Sequence, residues 1–118
     1  MRFEAFDRAA LALPGAVMDI KWGSDRTYCV GGKMFAHAGP VGDGEPRSLF
    51  KASELAFEML VESGAADPAP YLARAKWVQL KGHDALPDQE LIAYLALAHA
   101  LIAAKLTRKQ RAALGVGS

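Results

Sequence analysis

RTYCVGGKMFAHAGPVGDGEPRSLFKA, Arg26 to Ala52, is the stretch whose reading decides the fold. Two short runs flank Gly31-Gly32, a glycine-rich loop follows, and a third run closes the segment. A Gly-Gly pair between period-two runs is a β-hairpin signal, because a two-residue primed turn needs positive φ at its centre. The hairpin predicts Val30 opposite Lys33, Cys29 opposite Met34 and Tyr28 opposite Phe35. On that register one face carries Cys29, Met34 and Ala36, which are small or apolar and suit helix packing. The other carries Arg26, Tyr28, Lys33, Phe35 and His37, a mixture of aromatic rings and cations.

Upstream, residues 2–13 read as a helix, since Phe3, Phe6, Ala10 and Leu13 recur at helical spacing and Pro14-Gly15 ends the run. Residues 16–22 alternate as a first strand, with Met18 and Ile20 on one face and Asp19 and Lys21 on the other. Gly23-Ser24-Asp25 is a turn. Downstream of the loop Gly39–Pro46, Arg47–Ala52 forms a third sheet run with Phe50 on one parity and Arg47 and Lys51 on the other. Ser53 is placed to cap a second helix, buried through Leu55, Phe57, Met59, Leu60 and Val61. Its acids Glu54, Glu58 and Glu62 lie four apart and read as a solvated face rather than a metal site. Ala65–Pro70 reads as a connection and Tyr71–Lys76 as a short helical turn. Trp77–Lys81 alternates strongly and predicts another strand, with Val78 and Leu80 toward the helices. Gly82–Leu86 is a turn, and Pro87 opens a long helix to about residue 106, with Leu91, Leu95, Ala98 and Ile102 as its ridge. A basic tail, 105–118, follows.

At 118 residues, 52% hydrophobic and 23% charged, the chain reads as one domain, 1–118, with enough apolar material for a single core. A net charge of +1 gives no global argument for a polyanionic partner, so any such argument rests on how charge is distributed. Cys29 is the only cysteine, which excludes an intrachain disulfide and points to a reducing, cytoplasmic setting. The apolar run Leu91–Ala104 contains His99 and is shorter than the roughly 20 residues of a membrane span. Enzyme chemistry finds little support. His37, His83 and His99 share no metal-ligand spacing with one another or with Cys29, Gly31-Gly32 lies inside a hairpin rather than before a helix, and Ser48 and Ser53 lack a nucleophile elbow. No catalytic residue, metal or cofactor is therefore expected. His99, within an apolar helix, reads as a hydrogen-bonded core residue.

The order of these elements, with LALPGA at residues 11–16, Trp22-Gly23, VGGKMFA at 30–36, Lys51, PAPYLARAKWVQL at 68–80 and AHALIAAKLTRKQR at 98–111, resembles the MmcQ/YjbR family of small bacterial proteins. The resemblance implies an α+β fold of CyaY-like (frataxin-like) type, an antiparallel sheet with helices packed on one face. It also implies a non-enzymatic protein described as DNA-binding. Two places depart from the family pattern. Lys76 stands where a histidine often precedes the tryptophan, and Ala98-His99 replace a Ser-Tyr pair. Unlike the acidic first helix with which frataxins bind iron, the first helix here balances Glu4 and Asp7 against Arg2 and Arg8.

Placing every strand on the parity of the hairpin predicts an open sheet face of Lys21, Arg26, Tyr28, Lys33, Phe35, His37, Arg47, Lys51, Trp77 and Lys81. Rings among cations suit nucleic acid, with bases stacked on the rings and phosphates held by Lys and Arg. Lys105, Arg108, Lys109 and Arg111 of the tail would add phosphate contacts. DNA is thus the expected partner of a monomeric, non-membrane protein. The alternative is a protein- or small-molecule-interaction surface with no nucleic-acid role, its pocket beside Trp22 and Trp77. Charged open faces also serve solubility, and cross-strand aromatic pairs stabilise sheets without binding anything.

Overall fold

A computed structural model describes residues 3–21, 25–40, 46–70, 72–82 and 84–115. Four helices, α1 (Phe3–Leu11), α2 (Glu54–Ser63), α3 (Asp88–Ala103) and α4 (Arg108–Leu114), accompany six strands. The strands are β1 (Ala16–Lys21), β2 (Asp25–Val30), β3 (Lys33–Pro40), β4 (Pro46–Lys51), β5 (Ala66–Pro68) and β6 (Trp77–Leu80). They form one antiparallel sheet in the order β1-β2-β3-β4-β6-β5. The chain is therefore α+β. Expectations for Trp22, Gly23-Ser24, residues 41–45, Tyr71 and His83 fall outside the described residues. Among those described, no helix is long and apolar enough to cross a membrane.

The turn that joins β2 to β3 has φ of +58° at Gly31 and +81° at Gly32, the left-handed backbone that a two-residue primed turn requires. Val30 pairs with Lys33 and Cys29 with Met34, as the sequence predicts, but the register then slips and Tyr28 pairs with Ala36 rather than Phe35. The slip is a β-bulge, with Phe35 as the extra residue. Up to Phe35 the faces are the reverse of those expected, and beyond it Ala36 and His37 return to the expected ones. Tyr28, Val30, Phe35 and Ala36 are all fully buried in the main core, whereas Cys29 and Met34 are half-buried outside it. Strict alternation already keeps Tyr28, Val30 and Phe35 on one face; the extra residue lets Ala36 join them beside Tyr28. The helices cover this face rather than the one with Cys29 and Met34, and burial of each aromatic there stabilises the fold by several kcal/mol, on the order of the cost of truncating one.

Three ring pairs tie the helices to this face. Phe6 of α1 meets Tyr28 edge-on at 5.6 Å, Phe35 meets His99 of α3 edge-on at 5.4 Å, and Phe50 stacks on Tyr94 at 5.8 Å. Phe50, Val78 and Leu80 face the helices as expected, and Met18 packs at the margin of the same core. Ile20 does not, being 56% exposed where β1 forms the sheet edge. His99 donates from Nε2 to the Pro14 carbonyl at 2.6 Å, which pins α3 to the end of α1 and gives the buried imidazole its partner.

The remaining helices follow their capping chemistry. Ser53 caps α2 through its side chain, which accepts from the Ala56 amide, and Gly64 ends it in the left-handed conformation. Pro87 is the N-cap of α3, whose ridge Leu91, Leu95, Ala98 and Ile102 is buried. Two sequence expectations are corrected here. The connection 65–70 contains the edge strand β5, paired with β6. The helix expected to reach residue 106 stops at Ala103, and within the basic tail Arg108–Leu114 forms a separate helix. Thr107 and Gln110 form a reciprocal capping box that starts α4.

Candidate nucleic-acid interface

The expected binding face combined rings with cations; the structure separates them. Tyr28 and Phe35 lie on the helix side and are fully buried. Trp77 does point to the other side of the sheet but is only 4% exposed, because Ala69 and Leu72 from the segment between β5 and β6 fold over it beside Leu49. None of the three rings is therefore available to stack on a base. The Tyr28 hydroxyl instead donates to Asp7 Oδ1 at 2.8 Å, and Arg26 lies 3.5 Å from the same oxygen. Burial, reinforced by the neighbouring carboxylate, pushes the Tyr28 phenol well above its ordinary pKa. Arg26 is thus engaged on the helix side, not on the open face.

Among the other predicted residues, Arg47, Lys51 and Lys81 share the open side with His37, as expected from the register of β4 with β3 and β6. They do not act together. Lys81 stands at the far end of β6 and pairs with Asp67 at 3.7 Å. Arg47 lies opposite Gly39, where the Asp25 carboxylate comes within 2.7 Å of the place a Cβ would occupy. The side chain of Lys21 is outside the described set. His37 is half-buried with its Nδ1 unpaired, and burial lowers its pKa. Among the described residues no group of three His, Cys, Asp or Glu side chains could hold a metal ion.

What the structure does assemble is a basic rim at the hairpin end of the sheet. Lys51 ends β4 and pairs across to Trp77, so that Lys76 sits beside it; the Lys76 carbonyl accepts from the Ala52 amide at 2.9 Å. The Lys51 ammonium donates to the Ala75 carbonyl. Lys105 arrives from the end of α3, because the next residue, Leu106, is buried directly against Gly31, leaving 2.7 Å between its methyl carbons and the site of a Cβ there. The Lys51 pKa is lowered first by partial burial and then by Lys105 and Lys76, while Glu54 opposes the effect. Lys33, at the start of β3, is exposed at the same end.

From this end α4 runs to the start of β1, where Leu114 comes within 3.0 Å of the Cβ position at Gly15. Anchored by a leucine before it and another at its last residue, α4 presents Arg108 and Lys109 to solvent; Arg111 is half-buried, with a 3.4 Å bond to the Ala104 carbonyl. Lys76 is the residue that sequence reasoning omitted from the site. Its φ of +64° is the left-handed conformation, which costs a lysine about 1–2 kcal/mol, and its ammonium lies 4.9 Å from the centre of the Phe57 ring. Its place immediately before Trp77, in a strand bound to pair with the one ending at Lys51, was the available signal.

The fold is similar to the crystal structure of Deinococcus radiodurans protein DR2400, which carries the family domain DUF419, with a TM-score of 0.80 at 20% identity over 95% of this chain and 86% of that one. No curated protein matches the chain. The YjbR family model matches residues 11–101, from the end of α1 through most of α3 and so across the whole sheet. On that match the chain belongs to the YjbR family.

Proposed function

We propose that this chain is a non-enzymatic DNA-binding protein of CyaY-like fold that holds the phosphate backbone at the basic rim of its sheet. The observation that carries the reading is the convergence of Lys51, Lys76 and Lys105 at the hairpin end, with Lys33, Arg108 and Lys109 exposed nearby. Like charges gathered in one place repel, and a phosphate relieves that repulsion while releasing its condensed counterions. With the rings buried, base stacking drops out of the mechanism. The binding is electrostatic and tolerant of sequence. A reducing bacterial cytoplasm, signalled by the lone Cys29, is the compartment that accompanies this proposal.

The test is titration of a labelled duplex at two salt concentrations against the parent protein and a variant carrying Lys51→Gln, Lys76→Asn and Lys105→Gln. Asn is chosen at residue 76 because it tolerates the left-handed backbone. Each lost phosphate contact removes about 0.9 from the slope of log affinity against log salt. The triple variant is expected to flatten that slope by about 2–3. Lys81→Gln, at the other end of the sheet, is expected to leave binding unchanged. Absence of binding by the parent at low salt would refute the proposal.

A further inference from the structure

The end of the sheet opposite the hairpin has the reverse character. α2 packs over β5 and β6, and α3 over β2, β3 and β4. Where the end of α2, the connection after β6 and the first turns of α3 diverge, a cleft of about 770 Å³ opens. Its apolar lining includes Met59, Leu60, Leu86 and Tyr94. Met59 is 54% exposed, and one turn earlier on the same ridge Leu55 is 66% exposed, so that α2 turns two large apolar side chains outward at i and i+4. The main core already fills the other side of α2 with Ala56 and Leu60, and among the described residues nothing covers this ridge.

The charge on α2 and along the cleft is predominantly negative. α2 carries Glu54, Glu58 and Glu62, all exposed, and no cation. Glu90 and Asp84 line the cleft. From Gly82 to Ala104 the sequence has no Lys or Arg. Among the described lining residues Lys81 alone is cationic, and it is paired with Asp67.

We infer that the cleft and the Leu55–Met59 ridge form a docking groove for a cationic amphipathic helix of a partner protein. An exposed apolar pair at helical spacing gives an incoming helix a complementary ridge, and the open cleft admits one or two of its large side chains. Methionine at the mouth of the groove adapts to different side chains without a fixed rotamer. The carboxylates on both flanks select Lys and Arg beside the partner's apolar face and repel an acidic helix. The cleft lies at the end of the sheet away from the basic rim, and the ridge reaches from it back along α2 toward Glu54, beside Lys51.

The test uses the full chain and three labelled synthetic peptides of 18 residues, read by fluorescence anisotropy at low and moderate salt. One has Leu at helical spacing among Lys; a second permutes the same residues so that no apolar face forms; a third replaces Lys with Glu. The expected result is that the first binds at least about tenfold more tightly than the second and that the third does not bind. Leu55→Gln combined with Met59→Gln, both at exposed positions, is expected to weaken the first peptide by about tenfold with unchanged thermal unfolding. Equal affinity for the permuted peptide, equal affinity of the double variant, or no binding of the first peptide at low salt would overturn the proposal. So would self-association of the chain that the double variant abolishes, since the groove would then be filled by a second copy.

Discussion

The two sides of this sheet are made by the same strands, yet they are finished in different ways. The helix side takes Tyr28, Phe35, Phe50, Val78 and Leu80 into one core with α1, α2 and α3. The other side closes only locally, where Leu49, Ala69 and Trp77 gather beneath a short segment of chain. What the difference teaches is that an aromatic in an alternating strand carries no label for the face it will take. The choice falls to the helices, which here cover the face that carries Tyr28 and Phe35.

The sharpest way to break this comparison is to truncate on each side of the bulge. Phe35→Ala is expected to destabilise the chain by about 3–5 kcal/mol, as for a buried Phe, whereas Met34→Ala, at a half-buried site on the other side, is expected to cost less than about 2 kcal/mol. Denaturant unfolding of both variants measures the difference; the reverse order would place Met34, not Phe35, under the helices. A smaller effect sharpens the role of the turn. Gly31→Ala and Gly32→Ala each pay about 1–2 kcal/mol for left-handed backbone, but only the first also meets Leu106, so its cost is expected to be the larger. Loss of amide protection in α4 confined to Gly31→Ala, followed by hydrogen exchange, would report the loosened anchor.

The smallest effect concerns the open side. Burial lowers the His37 pKa in the folded chain below its ordinary 6.5. In the window below 6.5 the unfolded chain then binds more protons than the folded one, so stability falls as the pH drops through it and is fully present above it. The stability of His37→Gln is expected to depend less on pH there. An unchanged profile in the variant would show that His37 is not the group responsible.

Much of the fold is legible in the residues. Gly31-Gly32 specifies a hairpin, Ser53 a helix start, Pro14-Gly15 a helix end, and the Leu91–Ile102 ridge a buried helix face, because each signal is local and rests on backbone chemistry or on one period. The candidate site is less legible. Tyr28, Phe35 and Trp77 were expected to stack on bases, and all three are buried. Alternation groups Tyr28 with Phe35 but does not say which face the helices cover, and the cover over Trp77 comes from residues before it that read as a connection and a short turn. Lys76 was passed over because its neighbours Lys51 and Lys105 are distant in the chain.

The sequence by itself determined the class of fold, the order of most elements, the family resemblance and the near balance of charge. Only packing set which side of the sheet each ring occupies, that Arg108–Leu114 folds as α4 against Gly15, and that the balanced charge separates into a basic rim and an acidic cleft. The physical reason is range. Turns, caps and periodicity act over a few residues, whereas burial and electrostatics depend on which distant segments pack together.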